Sequence, residues 1–104
     1  MKYGTLVASV PVFQSLVSQP LPLRKAYQMS VMVRKINEEL EFFRHKRDEI
    51  LGSDMSEQEK NDKMDELLNL EIDWQLDPLE LSLDDDVKLS ASDLDMAEGL
   101  IKVV

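Results

Sequence analysis

The chain has 104 residues, of which 43% are hydrophobic and 32% charged, with a formal net charge of -9 and no cysteine. This length suits a single core and excludes a two-domain enzyme, and the lack of cysteine excludes disulfides, a thiolate nucleophile and a cysteine-based zinc site. No apolar run approaches the ~18 residues of a membrane span, and the first residues lack a signal-peptide pattern. We therefore expect a cytoplasmic protein that does not bind membranes.

The first segment is predicted to form a strand followed by a short helix. Residues 2–8 alternate in a way that favours a strand, and Ser9 is a suitable N-cap for a helix over residues 10–18. Pro20 ends that helix, and Pro22 suits the first position of the next one. The buried stripe of the short helix is predicted to consist of Val10, Phe13 and Val17.

The strongest pattern is a helix from residue 22 to residue 51. After Pro22 this stretch contains no glycine or proline, and apolar residues recur at alternating spacings of three and four, which is typical of a coiled-coil seam. Gly52 is the predicted end of the helix. The positions of the seam are Ala26, Met29, Val33, Ile36, Leu40, Phe43, Arg47 and Ile50.

A second helix is predicted over residues 56–70. Ser56 and Glu59 form an S-x-x-E capping box at its start. Folding the two helices back on each other as an antiparallel hairpin places Phe43 opposite Met64, and apolar residues face apolar residues. The sequence therefore predicts a helical hairpin over residues 22–70.

The second helix is too short to cover the whole seam. At ~1.5 Å per residue the first helix is about 45 Å long and the second about 21 Å, which leaves Ala26, Met29 and Val33 uncovered. The short N-terminal helix, the sheet or a second copy of the chain can cover them. Because a helix of this length exceeds what a domain of ~100 residues easily encloses, we predict a homo-oligomer, a dimer in the simplest case.

The last third of the chain changes to a period of two. Residues 71–77 alternate as in a half-buried strand, Pro78 interrupts the pattern, and Leu79, Leu81 and Leu83 continue it. A short strand over residues 87–89, a helical turn capped by Ser92 and Asp95, and an apolar tail that docks on the core or pairs at a sheet edge complete the prediction.

These elements define an α+β fold in one domain, residues 1–104. It consists of the hairpin over residues 22–70, the short N-terminal helix, and a β-rich acidic segment over residues 71–104. The N-terminal and C-terminal strands are predicted to form a small antiparallel sheet.

The negative charge is concentrated in one half of the chain. Residues 1–52 hold eight basic and five acidic side chains, a net charge of +3, whereas residues 53–104 hold four and sixteen, a net charge of -12. This distribution argues against direct nucleic-acid binding, which requires a positive surface. The acidic half either keeps the domain soluble or presents a surface to a basic partner.

The sequence offers no catalytic, metal or cofactor site. His45 is the only histidine and cannot build a triad or a metal centre alone, and the run Asp84, Asp85, Asp86 lacks the spacing of a calcium loop. The basic cluster from Arg44 to Arg47 is interpreted as a solvated helix end paired with acids across the turn, and Trp74 as part of the core. We therefore predict a protein that is not an enzyme.

An alternative function is mimicry of nucleic acid by the acidic half. Strand alternation would display carboxylates on outward faces for a basic nuclease or another DNA- or RNA-binding defence protein. The residues of this predicted acidic surface are Asp73, Asp77, Glu80, Asp84, Asp85 and Asp86.

The order of these features resembles a family of small phage and prophage proteins that is defined only as a domain of unknown function. The features are the segment from Leu21 to Tyr27, the long charged helix through Phe43, the acidic second helix and the β segment that ends in a Ser-capped turn. The resemblance implies a phage origin and action in the host cytoplasm, and it carries over no catalytic residue. The leading prediction is a self-associating interaction module that uses the seam (Ala26, Met29, Val33, Ile36, Leu40 and Phe43) and binds a host or phage protein.

Overall fold

The computed structural model describes residues 1–82 and 84–104. Helices dominate the fold, and a small sheet is built from the C-terminal third of the chain. The elements are α1 (Tyr3–Val17), α2 (Leu23–Leu51), α3 (Glu57–Leu68), β1 (Leu79–Leu81), α4 (Ala91–Met96) and β2 (Ile101–Val103). The molecule is elongated, with a longest extent of 51 Å, because α2 runs along its length.

The predicted N-terminal helix is confirmed, but α1 begins at Tyr3 and also includes all but the first residue of the predicted strand over residues 2–8, so the strand and the helix start at residue 10 are wrong. Residues 3 to 16 bury one face at spacings of three and four, and this burial outweighs the strand propensity of the first residues. Ser9 is buried mid-helix and donates its hydroxyl to the Leu6 carbonyl at 2.6 Å, so it does not act as a cap. The buried face consists of Tyr3, Leu6, Ser9, Val12, Phe13 and Leu16.

The long helix and the helix after it are confirmed. The Gly52 amide donates to the Asp48 carbonyl at 2.9 Å where α2 ends. Ser56 accepts a hydrogen bond from the Glu59 amide and caps α3. α3 packs on α2, and across the short turn the Lys60 ammonium donates to a carbonyl in the last turn of α2.

The predicted antiparallel sheet is wrong, because β1 and β2 pair in parallel. The Leu79 amide donates to the Leu100 carbonyl at 2.8 Å, and the Val104 amide donates to the Leu81 carbonyl at 2.9 Å. The chain between the strands includes α4, and this crossover returns β2 in the direction of β1. The prediction that the tail pairs at a sheet edge is confirmed.

Two further expectations about the C-terminal third fail. Residues 72–78 and 87–89 form no strand, and the N-terminal segment contributes only an isolated antiparallel bridge from Lys2 to Glu71. The part of the predicted alternation that falls on Leu83 lies outside the described residues.

The cap of the last helix lies two residues earlier than predicted. Ser90 and Asp93 form a reciprocal capping box, in which the Asp93 amide donates to the Ser90 hydroxyl at 3.0 Å and the Ser90 amide donates to the Asp93 carboxylate at 3.1 Å. This start places Ala97 and Leu100 in the core, beyond the end of α4. Gly99 has a φ of +86°, which glycine adopts without strain, and it turns the chain into β2.

The core surrounds the middle of α2. α1, α3 and β1 all pack on this helix, and α4 packs on α1. The N-terminal helix and the sheet thus cover the part of the seam that α3 does not reach. The largest side chains that are fully buried are Leu6, Leu16, Leu100 and Val12.

Candidate protein-interaction surface

Most of the predicted seam lies inside the molecule. Four of its six proposed interaction residues, Met29, Ile36, Leu40 and Phe43, are at most 5% exposed. Val33 is half-buried and Ala26 is exposed. The interpretation of the seam as an open surface is therefore wrong, because α1 and β1 cover it within one chain. Met32, which lies off the predicted seam, is buried against the same core.

Among the described residues, the three most exposed large apolar side chains lie at or near the amino-terminal end of α2. Leu23 is 88% exposed, Tyr27 is 69% exposed, and Val17 at the end of α1 is 61% exposed. We call these three residues the apolar end. Leu23 and Tyr27 are four residues apart and therefore share one face of the helix, away from the core. Sequence reasoning missed them because it followed the seam, although their spacing was a usable signal.

A groove runs along one side of the apolar end. It has a volume of about 690 Å³ and lies between the first turns of α2 and the segment that leads into β1. The Lys25 ammonium spans this region and donates to the Glu80 carbonyl. We call it the mixed groove, because its lining combines cations, carboxylates and apolar groups. Its main lining residues are Arg24, Tyr27, Gln28, Val31, Asp77 and Pro78.

A second groove runs along the other side, between the end of α1 and α2. It has a volume of about 250 Å³ and no charged residue in its lining. Ala26 and Ser30 are small and exposed, so another backbone can approach closely there. We call it the uncharged groove, and it is lined by Leu16, Val17, Gln19, Leu21, Ala26, Met29, Ser30 and Val33.

Five of the six residues of the predicted acidic surface are exposed. Asp73, Asp77, Glu80, Asp84 and Asp86 are exposed, whereas Asp85 is half-buried. The Asp85 carboxylate accepts a hydrogen bond from the Ser82 amide at 2.7 Å and so holds the turn. Because residues 72–78 form no strand, regular alternation does not align these carboxylates.

The basic cluster on α2 makes its ion pairs within its own helix. Lys46 pairs with Glu49 at 3.4 Å and Arg47 pairs with Asp48 at 3.2 Å, while the His45 Nε2 atom lies 3.3 Å from the Glu49 carboxylate. Within residues 1–82 and 84–104 no ion pair crosses the turn to α3, contrary to expectation. These exposed pairs contribute little to stability.

Aromatic rings join α1 to α2 near this cluster. Tyr3 stacks on Phe42 at a centroid distance of 6.2 Å and contacts Phe43 at 5.7 Å, while the Lys46 ammonium lies 5.7 Å from the Phe42 centroid. Burial raises the pKa of the Tyr3 phenol, and the Glu39 carboxylate raises it further. Phe42 is therefore supported by its neighbours, unlike the residues of the apolar end.

Two other polar groups have clear structural surroundings. The Met1 amino group lies 2.9 Å from the Glu71 carboxylate, and its hydrogen bond and charge lower the pKa of Glu71. Trp74 packs against the core, and its indole nitrogen is buried with no hydrogen-bond partner among the described residues.

Within the described part of the chain, no three side chains of His, Cys, Asp or Glu converge on a position that suits a metal ion. Among the same residues, no helix combines the length and apolar character needed to cross a membrane. Comparisons with protein-family models, with curated proteins and with solved structures found no match.

Proposed function

We propose that the chain is a non-enzymatic protein-interaction module of phage or prophage origin that binds a host or phage protein in the host cytoplasm. The observation that carries this proposal is the exposure of Leu23 and Tyr27 beside the mixed groove. Single exposed apolar residues are common on soluble proteins, but a cluster of them beside a groove marks an interaction site. The phage origin rests on the resemblance of the sequence pattern.

The composition of the mixed groove suits a non-obligate partner. Tyrosine and arginine are the side chains that most often dominate binding energy, and Tyr27 and Arg24 lie side by side at this groove. Met32 forms part of its buried base, and Asp77 lies on the opposite wall. An apolar centre with charged groups around it is the usual arrangement of such interfaces.

Self-association stays a prediction, and the structure removes the seam that supported it. With four seam residues in the core, a second copy has only Ala26 and Val33 of that seam to contact. Such a contact falls well short of the ~1,200 Å² at which stable interfaces begin. The proposed partner is therefore a different protein.

The proposal is tested by affinity capture from a host lysate with quantitative mass spectrometry. We expect the double variant Arg24→Ala with Tyr27→Ala to lose the partner that the wild-type chain captures. The matched control is Arg44→Ala with Leu51→Ala, which removes the same charge and another exposed apolar side chain about 30 Å away on the same helix. Equal capture by both double variants would refute the assignment of this surface.

A second candidate function is an acidic mimic of nucleic acid that inhibits a host DNA- or RNA-binding or defence protein. It is favoured by Asp73, Asp77, Glu80, Asp84 and Asp86, which are exposed and in no ion pair within the described residues. Binding to a basic nuclease should then compete with DNA and weaken steeply with salt. Binding that is insensitive to salt would exclude it.

A further inference from the structure

We infer that the uncharged groove binds an acidic amphipathic helix of the partner protein. This inference rests on the proposed function and adds the chemistry of the partner. The lining of the groove is mainly apolar and has no charged residue, and the groove is open between the end of α1 and α2. A helix that lays an apolar face into such a groove is a common mode of recognition.

The shape of the groove suits a helix. Ala26 and Ser30 lie four residues apart on α2, so they form a small-residue strip where a second helix can pack closely. Val17 and Leu21 form the opposite wall, and Met29 lies buried at the base. From Ala26 to Val33 the groove runs about 10 Å along α2, which matches the two turns of a bound helix that carry apolar residues at positions i, i+3, i+4 and i+7.

The charge around the groove selects an acidic partner. Residues 1–37 contain five lysines and arginines and no aspartate or glutamate. Lys25 is bound to the Glu80 carbonyl and Lys35 is paired with Glu39 at 3.4 Å. Arg24 and Arg34 are exposed and make no ion pair with any described residue. Arg34, which directly follows Val33 of the groove lining, is therefore available to carboxylates along the outer edge of a bound helix, whereas Arg24 lines the mixed groove.

A third exposed cation is held at the opposite wall. The Gln19 amide group donates to the Lys88 carbonyl at 3.1 Å, and the Lys88 amide donates to the Gln19 side-chain oxygen at 2.8 Å. Lys88 also makes no ion pair within the described residues. Arg34 and Lys88 thus lie on opposite sides of a floor that has no charged residue.

The test uses two labelled peptides of 14 residues in a fluorescence anisotropy titration against the full chain. Both peptides carry leucine at positions i, i+3, i+4 and i+7, and one has glutamate and the other lysine on the polar face. We expect the glutamate peptide to bind about tenfold more tightly or better, and to weaken as salt rises from about 0.05 M to about 0.5 M. Equal binding of the two peptides would overturn the inference.

Surface variants locate the bound peptide. Ser30→Trp fills the groove at an exposed position and should weaken binding of the glutamate peptide about tenfold or more, whereas Asn61→Trp on α3 should not change it. Arg34→Glu should also weaken binding, with Lys63→Glu on α3 as the control of equal charge change. Circular dichroism checks that each variant keeps its helices. Unchanged binding by Ser30→Trp, or a dimer that Ser30→Trp dissociates in sedimentation equilibrium, would overturn the inference.

The two proposals fail in different ways. If the Arg24→Ala with Tyr27→Ala variant loses its partner but neither peptide binds, the interaction module stands and the chemistry of the groove is wrong. If the glutamate peptide binds at the groove while the capture experiment shows no dependence on Arg24 and Tyr27, the mixed groove is not the partner site.

Discussion

Tyr3 packs α1 against α2, and this burial changes the pKa of its phenol. Its ring is 4% exposed and contacts both Phe42 and Phe43. Burial and the Glu39 carboxylate raise its pKa above the ordinary value of 10.0, since both disfavour the phenolate. The folded state therefore holds the phenolic proton more tightly than the unfolded state.

This difference predicts an alkaline loss of stability. The contribution of Tyr3 is fully present below pH 10 and is lost as the pH rises through the raised pKa of the folded state. The free energy of unfolding should therefore decrease less with rising pH in Tyr3→Phe than in the wild type. Urea denaturation between about pH 8 and pH 11 measures this difference. Tyr27→Phe is the control, because Tyr27 is exposed to solvent. If the free energy of unfolding of Tyr3→Phe decreases with pH as it does in the wild type, the alkaline loss of stability does not come from Tyr3.

The two serines at the start of α4 test the position of its cap. Ser90 accepts the Asp93 amide, whereas Ser92 lies within the helix and is exposed. Ser90→Ala should lower the free energy of unfolding by about 1 kcal/mol, and Ser92→Ala by less than about 0.5 kcal/mol. Urea denaturation of both variants measures this, and the reverse order would restore the cap expected from the sequence.

Leu16 and Val17 are neighbours with opposite surroundings. Leu16 is fully buried, so Leu16→Ala should cost about 2 to 5 kcal/mol of stability through lost contacts and a cavity. Val17→Ala should stay within about 0.5 kcal/mol of the wild type, because this side chain lies in solvent at the apolar end. Comparable losses in both variants, measured by thermal or urea unfolding, would show that the face of α1 is misassigned.

At the scale of elements, α2 and the start of α3 could be predicted from the sequence because their signals are local. The seam repeats over eight positions, the Gly52 amide closes the end of α2 on the Asp48 carbonyl, and the Ser56 hydroxyl marks the start of α3 by accepting the Glu59 amide. The sequence left three candidates to cover Met29, namely the N-terminal helix, the sheet and a second copy of the chain, because the choice depends on where α1 and β1 fold in space. The open surface was predicted where the core now lies.

Local sequence patterns could not predict the start of the N-terminal helix or the parallel pairing of the sheet. Residues 2–8 have the composition of a strand, and only their burial against α2 makes them helical. Parallel pairing follows from the path of the chain through α4, which no alternation of side chains records. The spacing of Leu23 and Tyr27 places them on one face of α2, but that this face is exposed follows only from where the core lies.

Removing the C-terminal tail tests whether β1 pairs with β2. Deleting residues 100–104 removes the Leu100 carbonyl that accepts the Leu79 amide, together with a fully buried leucine. Amide hydrogen exchange at Leu79 should therefore accelerate strongly while exchange at Leu40, in the middle of α2, changes less. Equal acceleration at both sites would mean that the tail holds the whole domain together, and no change would mean that the strands do not pair.

At the scale of the whole molecule, the charge asymmetry becomes a spatial one. The acid-free stretch over residues 1–37 includes α1 and the amino-terminal half of α2, which form the apolar end, the uncharged groove and one wall of the mixed groove. The carboxylates lie mainly on α3 and on the segment around β1. Residues 1–37 carry a net charge of +5 and residues 38–104 a net charge of -14, and these two values sum to the net charge of -9.

Site-specific photo-crosslinking in a host lysate tests the central claim most directly. A photoreactive phenylalanine analogue replaces Tyr27 in one sample and the exposed Leu94 on α4 in the other. We predict that the probe at position 27 forms a covalent adduct with another protein and that the probe at position 94 does not. Adducts from position 94 alone, or from neither position, would contradict the account that the amino-terminal end of α2 binds the partner.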